Sequence, residues 1–377
     1  MVIKRCFAHK VAFYMGGKLW NPMQKFATKD IVYVFVEMDS GEIGVGEVWA
    51  AYGTPETVIQ IINNDISPLI AGESPHDIEH IRKKVYGIAP LGSMMGLMMN
   101  ALSGVDIALW DLRGKLLGQP LVELLGPYSE SAYTYASGGL YGKGKGLDEL
   151  AGEVKGFVDN GFTGVKIKIG GVSIEEDAKR VRVTRETIGP QPRLMVDSLH
   201  AYDVPQAMAA AEAIREYDIY WFESPVALED QAGHGVINRE SGIDVCANES
   251  LSGTYQFKHL LEHKGAEYVH FDLSVCGGIS EALKIAALAE AEGLNCTAHA
   301  ASGVCLFSTS VHFACSIPNC DSVEYHFVHK WLSDHKPELL EHDGPMVKPS
   351  TEPGIGTSFI TPDFIERIAK EELAKAH

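Results

Sequence analysis

With 377 residues, 46% of them apolar and 22% charged, the chain has the composition of a folded globular protein with room for one large domain or two. A formal net charge of −18 gives a surface that repels phosphate backbones, which argues against a nucleic-acid partner. No run of about 18 apolar residues offers a membrane span, and MVIKRCFAHKVAFYMGG at the start has early positive charge but no long apolar core, so no signal peptide is expected. Seven cysteines show no C-x-x-C spacing, and several lie in apolar segments such as VCANE and NCTAHA; reduced, buried thiols and a cytoplasmic location are expected.

In chain order, AFYMGGKLWNPMQKF (residues 12–26) reads as a loop rich in glycine and aromatic residues. IVYVFVEMDSGEIGVGEV reads as two strands joined by a turn at Asp39-Ser40-Gly41, hence an antiparallel hairpin. A second loop of the first kind, EVWAAYGTP (47–55), follows. Helical patterns come next, with the methionine cluster SMMGLMMN (93–100) as core filler. In ALSGVDIALWDLRGKLLGQPLVELLG, Leu102, Val105, Ile107, Ala108 and Leu109 form a broad apolar face, and Gly118 with Pro120 stops the helix.

From about residue 132 the chain becomes a relay of short apolar strands and longer helical stretches. The strands are AYTYAS, GVKIKI, RLMVDS, IYWFES, DVCANE, YVHFDL, NCTAHA and DSVEYH. Between them lie 3.6-period segments such as SIEEDAKRVRVTRETIG, where Ser173 and Glu176 fit a capping box, VPQAMAAAEAIREYD and ISEALKIAALAEAEG. The section from Glu223 to Val245 is a weaker helix. Eight strands with crossover helices predict an α/β fold with a parallel TIM-type barrel. After residue 326 periodicity fades; KPSTEPGIGTSFITPDF is a Gly/Pro-rich excursion, and FIERIAKEELAKAH is a helical tail expected to return to the N-terminal region.

From the second strand to the eighth, each finishes in a polar residue: Lys168, Asp197, Glu223, Glu249, Asp272, His299 and Glu324, at intervals of 29, 26, 26, 23, 27 and 25 residues. Those intervals match one strand-helix repeat, so the seven side chains converge on the C-terminal mouth of the barrel, where such folds carry their chemistry. A single strand-end carboxylate is commonly a helix N-cap, but seven in phase are not. Asp197, Glu223 and Glu249 form a carboxylate triplet that needs a cation to offset repulsion and desolvation. All-oxygen ligation favours a hard divalent ion, Mg²⁺ first and Mn²⁺ second.

In VKIKIGG, Val165, Ile167 and Ile169 alternate with Lys166 and Lys168, placing both lysines on one strand face about 6–7 Å apart. Adjacent ammonium groups disfavour protonation of one of them, which suits Lys168 to general-base work, while Lys166 holds a substrate carboxylate. Asp272 beside His299 orients the imidazole and raises its pKa, giving a second acid/base group.

These residues resemble the enolase superfamily, and within it the mandelate racemase subgroup. The likeness runs along nearly the whole chain through GEVW, DIALWDLRGK, VKIKIGG, MVDS, WFESP, ANES, DLSVCGGISEALKIAALAEAEG, AHAASG and PGIG. It implies Lys168 as one base and Asp272–His299 as the other, with Asp197, Glu223 and Glu249 as Mg²⁺ ligands. Glu324 would be a protonated donor to the substrate carboxylate. The muconate cycloisomerase subgroup has lysine at the sixth strand end, where this chain has Asp272. Relatives often carry Asn two places after the first metal ligand; here Leu199 stands there, with His200 beyond as a substitute polar contact.

The resemblance implies a modified (β/α)7β TIM barrel at 129–326, an α+β capping domain at 1–128, and a C-terminal segment at 327–377 that returns to the cap. It also implies a homo-oligomer, from dimer to octamer, and a small carboxylate substrate. The expected chemistry is removal of the proton α to a carboxylate through an enediolate. Dehydration of a sugar acid, an aldonate or aldarate, to a 2-keto-3-deoxy acid is the leading reading. Racemisation, epimerisation or cycloisomerisation is the alternative, and a sensor that binds without turnover would not need two bases. Tyr14, Lys18, Trp20, Asn21, Trp49 and Tyr52 of the cap loops are candidates for substrate contact.

Overall fold

The computed structural model describes residues 2–49, 55–88, 94–329 and 331–375. Its N-terminal part is built on an antiparallel sheet of Ile3–Trp20, Lys25–Met38 and Ile43–Val48, with Lys25–Met38 in the middle and the two-residue strand Tyr141–Gly142 added beside the first. Successive strand residues face opposite sides. Ile31, Tyr33 and Phe35 accordingly join the core shared with the barrel, while Val32, Val34 and Val36 pack under the cap helices. Both faces are buried, which is why IVYVFV is continuously apolar.

The predicted hairpin is present, but the loop expected at 12–26 is not. Pairing continues through Leu19 with Phe26 and Trp20 with Lys25, so only the tip from Asn21 to Gln24 turns. The Asn21 side-chain oxygen accepts the N–H groups of Met23 and Gln24, both at 2.9 Å, and closes that tip. Gly16 and Gly17 take left-handed φ values of 72° and 63°, so they bulge the strand between Tyr14 and Leu19 rather than end it.

The helix Leu97–Leu117 lies across the sheet and ends at left-handed Gly118, as its sequence predicts. Met99 is buried, and Met94 and Met98 pack against the same core, as expected of filler, whereas Met95 is exposed. This helix also joins the cap to the barrel. Arg82 reaches Asp106 at 3.0 Å and Glu281 at 2.6 Å, with all three side chains buried. Ser280 on the barrel side donates its N–H to Asp106 at 3.0 Å.

The barrel strands, in order, are Ala132–Ser137, Gly164–Lys168, Arg193–Asp197, Ile219–Glu223, Val245–Ala247, Tyr268–Asp272, Asn295–His299 and Cys320–His326. Neighbours pair in parallel, and the eighth pairs with the first to close the ring. A helix lies between each pair of successive strands, including Gln231–Glu240 in the stretch that reads weakly. Ser173 and Glu176 form the expected capping box on Ile174–Ile188.

Beyond the barrel, Leu121 N–H donates to Gly354 O at 2.8 Å and Ile355 N–H to Asp111 at 2.9 Å, fixing PGIG to the end of the long cap helix. The tail helix Pro362–Lys375 returns to the first cap strand, where Glu372 accepts the Tyr14 N–H at 3.0 Å. All seven cysteines are free thiols, and six are buried. No helix among the described residues is long and apolar enough to cross a membrane.

Breaking a buried ion pair by removing one partner leaves uncompensated charge, at a cost of about 3–5 kcal/mol. Replacing Arg82 by Met strands Asp106 and Glu281 and is expected to lower the denaturant midpoint by a corresponding amount. An unfolding titration that leaves the midpoint unchanged would show that the network does not hold cap to barrel.

Candidate active site

Parallel register aligns the strand ends: Lys168 opposite Asp197, Asp197 opposite Glu223, and Asp272 opposite His299. Two expected strand-end residues sit off the ends. Glu249 lies two residues past the fifth strand, which stops at Ala247, and Glu324 lies two residues inside the eighth, which runs on to His326. Side-chain reach compensates, and both remain buried at the mouth.

The chain turns abruptly after two of the strands. Leu199, His200 and Ser224 take φ values of 48°, 62° and 44°, a region that non-glycine residues rarely occupy. The turns are held locally. Asp197 accepts the Leu199 N–H at 2.9 Å, and the Ser224 hydroxyl donates to Glu249. His200 Nδ1 lies 3.0 Å from Val226 O, and its Nε2 lies 3.6 Å from Glu249, so this imidazole stands beside the carboxylate triplet.

Lys166 and Lys168 point inward, while Val165, Ile167 and Ile169 enter the surrounding core. Lys166 Nζ is fully buried, 2.6 Å from Glu223, 3.0 Å from Glu324 and 3.6 Å from Asp197. Lys168 is in contact with Asp197. The lysines therefore do not face each other alone, as their spacing suggests; carboxylates from neighbouring strands interleave with them. Burial disfavours the Lys166 charge, but Glu223, Glu324 and Asp197 outweigh it and hold its pKa well above the usual range. Burial likewise opposes the Asp197 charge, and Lys168 and Lys166 still hold that carboxyl well below its usual range.

His299 Nδ1 is 2.7 Å from Asp272, and its Nε2 is 3.4 Å from Glu324. Burial pushes the imidazolium down, but Glu324 and the hydrogen bond and charge of Asp272 prevail, and its pKa is raised. Ser274 donates both its N–H, at 2.7 Å, and its hydroxyl, at 2.6 Å, to the other Asp272 oxygen, so the carboxylate that orients His299 is itself held. Burial favours the neutral form of Glu324, yet Lys166, His299, His326 and Lys168 pull its pKa well below the usual range.

The donor set fits a hard cation. Asp197, Glu223 and Glu249 offer carboxylate oxygens, and lysine ammonium groups lie against the first two as internal counter-ions. Glu223, Cys246 and His270 also bring one ligand atom each within 4.8 Å of one another. Burial pushes the Cys246 thiol well up, which keeps its proton on, so this deeper group is a poorer set for Mg²⁺ than the carboxylates. His270 Nε2 lies 3.5 Å from Glu223 and its ring meets His299 edge-on at 5.5 Å. It was not anticipated from the sequence, since YVHFDL reads as an ordinary buried strand.

A cavity lies between this mouth and the cap; Lys168, Glu249, His299 and Leu199 face it from the barrel, and Asn21, Lys29 and Trp49 from the cap. The Trp49 ring lies tilted against the His299 ring, with centroids 5.0 Å apart. Of the cap candidates, Asn21 and Trp49 reach the cavity. Tyr14 and Lys18 are exposed, and Trp20 stacks on Tyr141 at 6.1 Å; none of these three lines it. Their strand is paired where a free loop was expected, and the pairing carries these side chains away from the mouth. Tyr52 lies outside the described residues. Lys29, His326 and His329 line the cavity without having been singled out. The available signal for Lys29 was its phase: it shares the strand face of Ile31, Tyr33 and Phe35.

Residues 19–126 match the family model described as the mandelate racemase/muconate lactonizing enzyme N-terminal domain, and residues 149–363 match the enolase C-terminal domain-like model. The chain is 29% identical over 347 residues to an arabinonate dehydratase of Saccharolobus solfataricus, covering 92% of this chain and 91% of that one. It is 32% identical over 303 residues to a D-galactarolactone cycloisomerase of Agrobacterium fabrum, covering 79% and 78%. A racemase from Streptomyces coelicolor, solved with bound magnesium, superposes with a TM-score of 0.88 at 27% identity, over 98% of this chain and 99% of that one. With the two-part architecture and both halves matched, the chain belongs to the mandelate racemase/muconate lactonizing enzyme family of the enolase superfamily.

Proposed function

We propose that this protein removes the proton α to the carboxylate of a sugar acid and then expels a β-hydroxyl, giving a 2-keto-3-deoxy acid. The observation that carries this reading is the buried His299–Asp272 pair, at 2.7 Å, opening on the same cavity as Lys168 and Glu249. Binding alone requires no proton acceptors, whereas dehydration requires a base for the α proton and an acid for the departing hydroxyl. The curated relatives named arabinonate dehydratase, L-rhamnonate dehydratase and L-talarate/galactarate dehydratase support the same chemistry.

In this reading Asp197, Glu223 and Glu249 would hold Mg²⁺, which when bound supplies Lewis-acid polarisation of the substrate carboxylate. Lys166, kept charged by its three carboxylate neighbours, places a fixed ammonium where the enediolate develops negative charge. Lys168 takes the α proton from one face. His299, whose pKa Glu324 and Asp272 raise, delivers a proton to the leaving hydroxyl, and Asp272 fixes its tautomer. Glu324 acts as a donor to the substrate only after gaining a proton, so its role is tied to substrate entry displacing its present contacts. A second reading is favoured by the pairing itself. With no β-hydroxyl to expel, the same two groups return the proton and give a racemase or epimerase, and an internal oxygen leaving group gives a cycloisomerase, as named for the Agrobacterium relative. The free, buried thiols support a reducing cytoplasmic setting, and we take the working unit to be a homo-oligomer.

Chelation is expected to abolish activity and Mg²⁺ to restore it, and Glu223→Gln to weaken Mg²⁺ binding in calorimetry; full activity after exhaustive chelation would sink the metal assignment. For the bases, sugar acids are incubated in D₂O and read for keto acid and α-deuterium. His299→Asn should lose dehydration by about 10²–10⁴-fold while Lys168 still exchanges the α proton of substrates with the matching configuration. Lys168→Ala should reverse the pattern on the opposite configuration. Turnover within a few fold of the parent in either variant contradicts the two-base scheme.

A further inference from the structure

The mechanism above leaves one buried cation without a task. Lys29 lies on the barrel-facing side of the middle cap strand and is only 7% exposed. Among the described residues it makes no hydrogen bond and no ion pair; its Nζ sits over the Trp49 ring, 5.1 Å from the centroid. It lines the cavity that Lys168, Glu249 and His299 line from the other side. Burial lowers its pKa to about 8, with Asp272 pulling upward, Lys168 pushing further down, and Glu324 and Glu47 pulling upward, so at neutral pH it is still an ammonium. An ammonium taken out of water without a paired anion costs several kcal/mol, and an anion entering the cavity would offset that cost.

Two neutral neighbours share its character. The Asn21 oxygen is used by Met23 and Gln24, which leaves its amide N–H groups. His326 Nδ1 accepts the N–H groups of Val328 and His329, at 3.2 and 3.3 Å. Burial holds this imidazole neutral, so its remaining hydrogen is on Nε2. Asn21, Lys29 and His326 therefore present donors to the cavity wall and no spare acceptor. His329 lies tilted against His326, ring centroids 4.0 Å apart, and its contacts leave its tautomer open. A sugar hydroxyl is served by a donor and an acceptor together, whereas a carboxylate only accepts.

We propose that Lys29, with Asn21 and His326, binds a second carboxylate at the substrate end remote from the reacting carbon, so that the substrate class is a sugar diacid, an aldarate, in preference to the aldonate. This rests on the reading that the reacting carboxylate is held at the Lys166 end. The cap lysine would then set specificity by charge, while the proton transfers stay with the barrel.

The test pairs tartrates, pentarates and hexarates with the aldonates of the same configuration. Each acid is titrated calorimetrically into the Mg²⁺-loaded parent, Lys29→Met and Lys29→Gln proteins, and turnover is read in parallel as keto acid. The parent is expected to bind its best aldarate about 100-fold tighter than the matching aldonate, the scale of one charged hydrogen-bonded contact. Lys29→Met should erase most of that preference, through weakened aldarate binding and a raised KM more than a lowered kcat. Lys29→Gln, which keeps a donor without the charge, should fall between and covers the case of a poorly folded Met variant. Binding that depends on Lys29 but without turnover would uphold this proposal while overturning the dehydration reading. A preference for aldonates, no binding of any aldarate, or equal losses for both acids in the Lys29 variants would overturn the proposal itself.

Discussion

A fully buried lysine, Lys166, sits within 3.6 Å of three carboxylates contributed by three different barrel strands. None of these charges would be stable alone at zero exposure, since desolvating a single ion costs several kcal/mol. Lys166 offsets one of the three negative charges and Lys168, against Asp197, a second; the rest of the mouth is arranged around the negative excess that remains. Asp197 is shared between Lys166 and Lys168, and Glu324 between Lys166 and His299. A change at any one of these positions therefore alters the protonation of the others. The same coupling lets a closed, low-dielectric site keep several charged groups poised, where water would level them.

Such a network needs a rigid frame, and the barrel supplies it through register. Parallel pairing fixes Lys168, Asp197 and Glu223 side by side, and Asp272 beside His299, before any side chain chooses a rotamer. The left-handed residues Leu199, His200 and Ser224 are the local cost of turning the chain away sharply enough to leave the carboxylates at the mouth. The cap contributes to the same end. Glu47, buried on the third cap strand, accepts the N–H groups of Gly303 and Leu306 at the start of the helix that follows His299. A cap residue thereby anchors the loop that follows His299, and the Arg82 network ties the cap helices to the barrel helix Gly278–Ala291. Closure over the cavity is thus built from polar contacts as well as apolar packing.

Most of the architecture was legible in the sequence, because it rests on local periodicity. The eight barrel strands, their helices, the Asp39–Gly41 hairpin and the stop at Gly118 follow from the spacing of apolar residues and from turn chemistry. So do the seven in-phase polar residues, since a repeat of 23 to 29 residues brings each to the same end of the ring. The tertiary structure decided what spacing cannot encode. It interleaved carboxylates with the two lysines, so that Lys166 is held charged by its neighbours, and it set Glu324 beside Lys166, a residue more than a hundred positions away. It turned the 12–26 segment into a paired strand, because cross-strand hydrogen bonds override a glycine-rich composition, and so moved Tyr14, Lys18 and Trp20 away from the cavity. It brought in Lys29, His326 and His329, whose importance depends on which wall of a cavity they face. Periodicity is a property of neighbours along the chain and survives in the sequence; the electrostatics of a closed site depend on distances between strands, which exist only once the ring and its cap are formed.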